Sequence, residues 1–442
     1  MNRHVATFAI VIVLALVEST TAYAAKVSAK IAQRGLYNAV QMGAKGDGVA
    51  DDTPAIQKAL DAAAADGGGV VTLPTGKYLI KTHLTITENV ALEGTWRAPS
   101  RGVPETGGTT LLAVEGKGNA GGAPFITMGT GSTLRGINVF YPEQIRANPP
   151  LAYPWTIQSA NGADNCSILD VTLINSYQAV DFGTNVTGRH YIRGLYGYPF
   201  LKGLYINQCY DVGRIEDIHF WPFWDLDPNS PLWAFTKENG EAFIIGKSDG
   251  EMGSNLFSIF YKVGMHFIRG PVMTRKGPAN QPGSGAYTNC YMDITPCAIK
   301  VDGVGADAGI SFVNGMFMST VEVGAENSGQ VKFTGCGFWS NKNITTTQGK
   351  LQGSGTVFFE SCHFTNWDQK MDGTACIDAD CKSLIVTGCE FQTKRTGHNK
   401  VRLGPNVESA IISSNRMESG VLILKNDVKD GADIQIGLNT AK

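Results

Sequence analysis

The chain has 442 residues, 43% of them hydrophobic and 53 of them glycine, with 37 basic against 39 acidic side chains. That apolar content suffices for a large buried core, and a net charge of −2 leaves no electrostatic case for nucleic acid or for a basic membrane-surface patch. Length alone allows two or three domains, but so much glycine suits short strands joined by tight turns.

The first element is a leader. Asn2-Arg3-His4 is a short basic start, Val5 to Val17 is an uncharged apolar run, and Ala22-Tyr23-Ala24 offers small residues at a cleavage point. Residues 1–24 therefore read as a secretory signal peptide with a core too short to span a bilayer comfortably, an uncleaved membrane anchor being the competing reading, and 25–442 as the mature chain. The expectation is a secreted or periplasmic protein with no membrane contact after cleavage.

Next comes Tyr37 to Ile80, YNAVQMGAKGDGVADDTPAIQKALDAAAADGGGVVTLPTGKYLI. Thr53 is placed to cap a helix, and Pro54 fits the first turn, where a missing N–H costs nothing. Ile56, Ala59, Leu60 and Ala63 follow the i, i+3, i+4, i+7 spacing of one buried stripe. Gly67-Gly68-Gly69 stops the helix and Val70-Val71-Thr72-Leu73 begins a strand; Asp51 and Asp52, beside the cap, read as structural. The pieces GAKGDGVADDTPAIQKAL and GGGVVTLPTGKYLI closely resemble the N-terminal segment of the pectate-lyase superfamily. That resemblance implies an all-β, right-handed single-stranded parallel β-helix with a short N-terminal capping helix, residues 35–80 forming the cap and first coil. It does not imply one activity, because the family holds hydrolases, lyases, epimerases and phage tailspikes.

The C-terminal half repeats. A small residue or cysteine, a variable residue, then Phe or Met recurs at Cys290, Gly315, Cys336, Cys362, Cys389 and Asn415, with spacings of 25, 21, 26, 27 and 26. The same register continues upstream at Ile137-Asn138-Val139, Val171-Thr172-Leu173, Leu195-Tyr196-Gly197 and Ile218-His219-Phe220. No unit of that length buries its apolar face alone, so stacking is required, as in a solenoid. Nine cysteines leave at least one unpaired; Cys290, Cys336, Cys362 and Cys389 read as small buried hydrophobes stacked coil on coil, and Cys376 and Cys381 are close enough for a local bridge.

Because the interior is filled, chemistry must sit on an outer face beside loops that interrupt the repeat. Two interruptions are visible, 141–155 and 221–255. Trp155, Trp221, Trp224 and Trp233 fall within them, and clustered aromatics suit sugar rings, so these four, with Lys202 and Arg269, are expected to bind a polysaccharide. The expected reactive groups are Asp225 and Asp227 in FWDLDP, with Asp249 and Glu251 in SDGEM. The two pairs lie 24 residues apart, about one coil, which would bring all four to one side of a groove. Two carboxyl groups flanking a bond are what glycoside hydrolysis needs; the competing reading of such acids is a calcium loop.

Within the same superfamily, polygalacturonases carry an Asn-Thr-Asp, an Asp-Asp, a Gly-His-Gly and an Arg-Ile-Lys. The matching places here hold Gln178-Ala179-Val180-Asp181 and Leu201-Lys202-Gly203, and the one echo of Gly-His-Gly is Gly397-His398-Asn399, far downstream. Pectate lyases pair calcium-bound acids with an Arg or Lys base, for which Arg193, Lys202, Arg269 and Arg275 are available. The leading expectation is a secreted glycoside hydrolase with paired carboxylates and no cofactor, calcium being the exception. The alternative is a lyase or epimerase acting on a uronic-acid polysaccharide, and the third is a non-catalytic glycan-binding or tailspike-like protein. A monomer or a homotrimer suits a solenoid with exposed ends.

Overall fold

A strand of three to seven residues can satisfy its backbone only by pairing with the coil above and the coil below, and here that pairing is parallel throughout the solenoid. The computed structural model describes residues 35–96, 98–99, 107–274, 277–340, 347–393 and 395–441. Residues 1–24, expected to be a signal peptide, and Arg275 lie outside them. The chain is a right-handed parallel β-helix of the pectate-lyase-like kind, with one 25-stranded sheet covering two faces and a 13-stranded sheet forming the third. At about 4.8 Å per rung, thirteen strands span roughly 58 Å.

Each coil turns from the first to the second face at a single residue. That corner has positive φ in coil after coil, from Gly136 through Asp170, Gly194, Asp217, Asn255, Asn289, Asn314, Gly335, Ser361 and Gly388 to Ser414. Positive φ is cheap for Gly and tolerated by Asn and Asp, which is why those residues recur at the repeat interval. The variable residue of the repeat motif follows two positions later and stacks in one register: Asn138, Thr172, Tyr196, His219, Phe257, Tyr291, Met316, Gly337, His363, Glu390 and Arg416. Phe257 takes its place in this register between His219 and Tyr291, although its coil lacks the sequence motif.

The turn from the second face to the 13-stranded sheet has no fixed length. It is a single residue, Ser319, in one coil, and it holds 141–154 and 221–240 in two others. The second insertion is therefore shorter than the expected 221–255. Strand Glu241–Ile245 already pairs with Lys202–Ile206, and Asp249–Ile259 pairs with Arg214–Phe220.

The N-terminal helix α1, Thr53–Ala65, buries Ile56, Ala59, Leu60 and Ala63 over the first coil. Its capping differs from expectation. Thr53 is the first helical residue, its amide is accepted by the Asp51 carboxylate at 3.1 Å, and its hydroxyl accepts from the Lys81 amide at 2.9 Å. Asp52, at the N-cap position, instead takes the amides of Lys45 at 2.5 Å and Gly46 at 3.1 Å, tying down the preceding turn. All nine cysteines are buried and unbridged, Cys376 and Cys381 included. Cys362 and Cys389 stack with the Cys362 amide 3.4 Å from the Cys389 sulfur.

Candidate functional site

Along strand Val263–Phe267, alternation turns Met265 and Phe267 inward and His266 outward. The outward row of the 13-stranded sheet then reads, rung by rung, Gln158, Asp181, Tyr205, Ile244, His266, Lys300 and Glu322. A second row at the N-terminal ends of the same strands holds Trp155, Gln178, Lys202 and Glu241. The two rows bring Lys202, Glu241, His266, Lys300 and Glu322 onto one face, each partly or wholly buried.

His266 is the centre. Its Nδ1 lies 3.1 Å from Glu241 Oε1 and its Nε2 lies 2.8 Å from Asp302 Oδ2, while Lys300 Nζ approaches Asp302 at 3.5 Å. For both contacts to be hydrogen bonds a proton must sit between each pair. Burial pushes the Glu241 carboxyl up, but the hydrogen bond and charge of His266, with Lys300 and Lys202, outweigh it and hold Glu241 below the ordinary glutamate value. Two rungs away Tyr205 stacks on Trp155 with centroids 6.2 Å apart, and the Lys202 ammonium stands 5.8 Å from the Trp155 ring. Burial raises the Tyr205 phenol, the hydrogen bond to Asn207 opposes that, and the Asp181 charge adds to it. Asp181 itself is fully buried and anchored by the amides of Gly183 and Thr184 at 2.9 and 2.8 Å, with Gln158 Nε2 donating at 2.6 Å.

Walls rise on both sides. On the N-terminal side stands helix α2, Pro231–Asn239, which leads directly into the strand carrying Glu241. On the C-terminal side an antiparallel hairpin, Gly270–Thr274 with Gly277–Gln281, is held by Asn207 Nδ2 donating to the Pro271 carbonyl at 2.8 Å. Arg269, at the base of this hairpin, pairs with Glu326 at 3.2 Å and lines, with Asn280 and Asp302, a cavity of about 440 Å³. Trp155 and Lys202 thus lie within the site, and Arg269 on its rim.

The four expected carboxylates do not converge. Asp225 follows the C-terminal end of strand Arg214–Phe220, whereas Asp249 and Glu251 precede Met252, which pairs with Arg214 at the other end. That separates the pairs by on the order of 15 Å of strand. The 24-residue spacing is not one coil, because the step from Arg214 to its neighbour Met252 takes 38 residues once the insertion is included. Asp225 is buried, accepts from the Ser230 hydroxyl, and lies 3.8 Å from Arg146, which covers the Trp224 ring at 4.2 Å. Ser230 in turn caps α2 through the Leu232 amide at 3.2 Å. Asp227 is exposed and accepts the Asn229 amide at 2.9 Å. Asp249 is exposed and pairs with Lys247.

The remaining tryptophans fasten the insertion. Trp224 is buried, Trp233 Nε1 donates to the Asp225 carbonyl at 2.7 Å, and Trp221 lies edge-on to His219 at 6.1 Å. With Ile174, Tyr198, Phe200, Phe223, Leu232 and Phe235 they build a second apolar cluster beside the solenoid. They are the mortar of a wall.

Glu251 is inside the helix. It receives His190 Nε2 at 2.9 Å and the Ser248 hydroxyl at 3.2 Å, and Cys209 Sγ sits 3.7 Å from His190 Nδ1. Burial would lower His190, but the Glu251 charge, the contact with Cys209 and the Glu251 hydrogen bond carry it up to about 10. Among the described residues these three are the His/Cys/Asp/Glu group whose ligand atoms converge within 4.8 Å. Glu251 and Cys209 use opposite ring nitrogens of His190, so one ion could not take all three through that imidazole. The acids expected to form a calcium loop are not gathered.

His266, Glu241, Tyr205, Lys300 and Asp302 escaped the sequence reading. Met265 marks a coil there, and the next residue outward by alternation is the histidine. The insertion before Glu241 hid the rung spacing that would have lined it up with Lys202.

Comparison with known proteins agrees with the architecture. Residues 36–185 match the model of a family described as rhamnogalacturonase A/epimerase, pectate lyase-like. This match includes Trp155 and Asp181 and ends before His266. Mannuronan C5-epimerase AlgE3 of Azotobacter vinelandii is 56% identical over 50 residues, 11% of this chain and 3% of that protein. Alginate lyase 7 of the same organism is 59% identical over 44 residues, 10% of this chain and 5% of that protein. The chain thus matches less than a tenth of the length of these relatives. The DFA-IIIase of Arthrobacter chlorophenolicus A6, solved in complex with GF2, has the same fold with a TM-score of 0.52 at 12% identity, over 91% of this chain and 98% of its own.

Proposed function

We propose that this chain is a carbohydrate-active enzyme that removes the proton beside the carboxylate of a uronate unit in an acidic polysaccharide, as a polysaccharide lyase or a C5-epimerase. The observation that carries the reading is the triad Glu241–His266–Asp302, facing outward between Lys202 and Lys300 on a walled strand face. The family description, the epimerase and the alginate lyase support the same class. Hydrolysis, the leading expectation from sequence, has lost its paired carboxylates.

The chemistry follows from charge. A C5 proton becomes removable only when the charge developing on the neighbouring carboxylate is stabilised, and Lys202 and Lys300 supply fixed cations for that purpose. Trp155, with Tyr205 stacked on it, gives the sugar a platform. Glu241, held as a carboxylate by the hydrogen bond and charge of His266 and by the two lysines, takes the C5 proton while the C5–H electron pair moves toward the uronate carboxylate; His266 holds Glu241 and Asp302 in place, and Tyr205, whose phenol keeps its proton through burial, is placed to return one from its own side of the site. Loss of the C4 oxygen from the resulting carbanion gives a lyase; reprotonation on the opposite face gives an epimerase. Calcium has the weaker basis, since Asp225 and Asp227 are committed to Ser230 and Asn229. Export, expected from residues 1–24, would put the enzyme where such polymers occur.

The test is to incubate the protein with polymannuronate, polygalacturonate and a neutral glucan, reading unsaturated uronide by ultraviolet absorbance and C5 configuration by proton NMR. His266→Ala should lower turnover at least about a hundredfold with an unchanged unfolding midpoint, and a chelator should have no effect. Reducing ends without unsaturation would restore the hydrolase. Binding without any product would favour a non-catalytic glycan receptor.

A further inference from the structure

Asn207 is buried one residue past strand Lys202–Ile206, and its amide is fixed from three sides. Its Oδ1 accepts from the Lys247 amide at 2.8 Å, and its Nδ2 donates to the Pro271 carbonyl at 2.8 Å and to the Tyr205 phenol oxygen at 3.2 Å. A backbone N–H only donates and a carbonyl only accepts, so the side-chain amide has one orientation. Its NH2 group therefore faces Tyr205.

Glycine at three places leaves room for this arrangement. Gly183 and Gly246 follow strands Gln178–Phe182 and Glu241–Ile245, and so hold the Asn207 position in the coils on either side. Gly270 opens the hairpin. None of the three has positive φ, so the backbone does not call for glycine there. Space does. A methyl group on Gly246 or Gly270 would overlap Asn207 Oδ1, and one on Gly183 would stand 2.8 Å from the Tyr205 ring.

The consequence is directional. A phenol oxygen that accepts from Asn207 keeps its own hydrogen free to be donated, and among the described residues Asn207 is its hydrogen-bond partner. When that proton leaves, the same amide hydrogen meets a phenolate, and the bond becomes charge-assisted and stronger. The contact accordingly opposes the rise in the phenol pKa that burial causes.

We propose that Asn207 is a positioning residue, which aims the Tyr205 O–H at the substrate and holds the phenolate that remains after the proton is given up. The role rests on the proposed function. In that reaction Glu241 takes the C5 proton, and the Tyr205 O–H bond breaks with its electron pair left on the phenol oxygen. In a lyase the carbanion pair forms the C4–C5 double bond, the C4–O bond breaks, and the departing oxygen takes the Tyr205 proton. In an epimerase C5 takes it. Exchange with water then clears the proton from Glu241 and restores the one on Tyr205.

The experiment is a double-mutant cycle of Asn207→Asp and Tyr205→Phe, read as kcat and KM on uronate polymers, with the Tyr205 phenol titrated by NMR of ring-labelled tyrosine. Aspartate keeps the acceptor for Lys247 and removes both donated bonds. We expect Asn207→Asp to lower kcat at least about tenfold in the parent and to leave the residual kcat of Tyr205→Phe as it is. A change in KM through the freed hairpin should be the same in both backgrounds. The phenol should titrate about half a pH unit or more higher, the shift that loss of one hydrogen bond implies. Gly270→Ala presses on the same amide without altering it and carries the same two expectations where the aspartate chain does not fold. An equal loss of kcat in both backgrounds would make Asn207 merely structural and overturn the proposal, as would an unshifted phenol or a Tyr205→Phe chain with the parent's kcat. A shifted phenol in a parent inactive on every uronate polymer would overturn the proposed reaction and leave the orientation of Tyr205 by Asn207 standing.

Discussion

The C-terminal coils and the coils between Trp155 and Asp302 share one backbone and fill it differently. Toward the C-terminus the interior repeats itself: Phe312, Phe333 and Phe359 stack at 5.2 and 5.3 Å, and Phe338, Phe364 and Phe391 at 4.9 and 4.8 Å, one ring per coil. In the middle coils the interior mixes aliphatic side chains with rings such as Phe182, Phe220, Phe243 and Phe267 and holds a buried His190–Glu251 pair, while the outer row changes residue at every rung. Repetition suits cohesion, because identical rings pack on themselves. A reactive site needs the opposite, a different side chain on each neighbouring rung.

That contrast can be broken at its strongest point by Phe364→Ala. The ring sits between Phe338 and Phe391, and its loss should cost about 3–5 kcal/mol in urea unfolding. Uronate binding at the middle coils should not change. A cost near that of a surface mutation would show that the stack is not what holds these coils together.

In the middle coils the matching change is Glu251→Gln, which leaves His190 buried without its counter-charge and should cost about 3 kcal/mol. The pH dependence has a definite sign. The folded pKa of His190, about 10, lies above its ordinary value of 6.5. Its contribution is therefore complete below about pH 6.5 and is lost as the pH rises through about 10. Unfolding midpoints of the parent should fall across that window, and those of the variant should fall less. Parallel pH curves would mean that the pair is not ionised.

Smaller effects separate wall from site. Asp225→Asn weakens the Ser230 contact that starts α2 and should cost about 1–2 kcal/mol, with turnover reduced no more than a few-fold. A hundredfold loss would return Asp225 to the chemistry. Asp227→Asn and Asp249→Asn, both exposed, should stay within about 0.5 kcal/mol and leave turnover as it is.

How much of this was legible depends on which property each residue answers to. The fold was readable because its determinants are local and periodic: Gly67-Gly68-Gly69 ending a helix, and Asn289, Asn314 and Gly335 at corners that demand positive φ. The site was readable only where it touched a recognisable pattern, as Lys202 and Trp155 did. Asp225 and Glu251 attracted attention as acids beside aromatics, but whether an acid faces solvent, a helix cap or a buried histidine depends on the coil it joins. His266 and Asp302 lie 36 residues apart and meet because successive rungs bring their strands together, a relation that no linear spacing expresses once loops of different length intervene.

The two kinds of corner also bear on how such a chain can change over time. The one-residue corner admits no insertion without shifting the register of every coil stacked on it. The other corner has already accepted lengths from one residue to twenty, and doubling such a loop costs only about 0.6 kcal/mol in closure entropy. Both the α2 wall and the 141–154 loop emerge at this permissive corner, along a single edge of the molecule. New recognition can be acquired there by exchanging loops as cassettes, each tried and discarded without renegotiating the core.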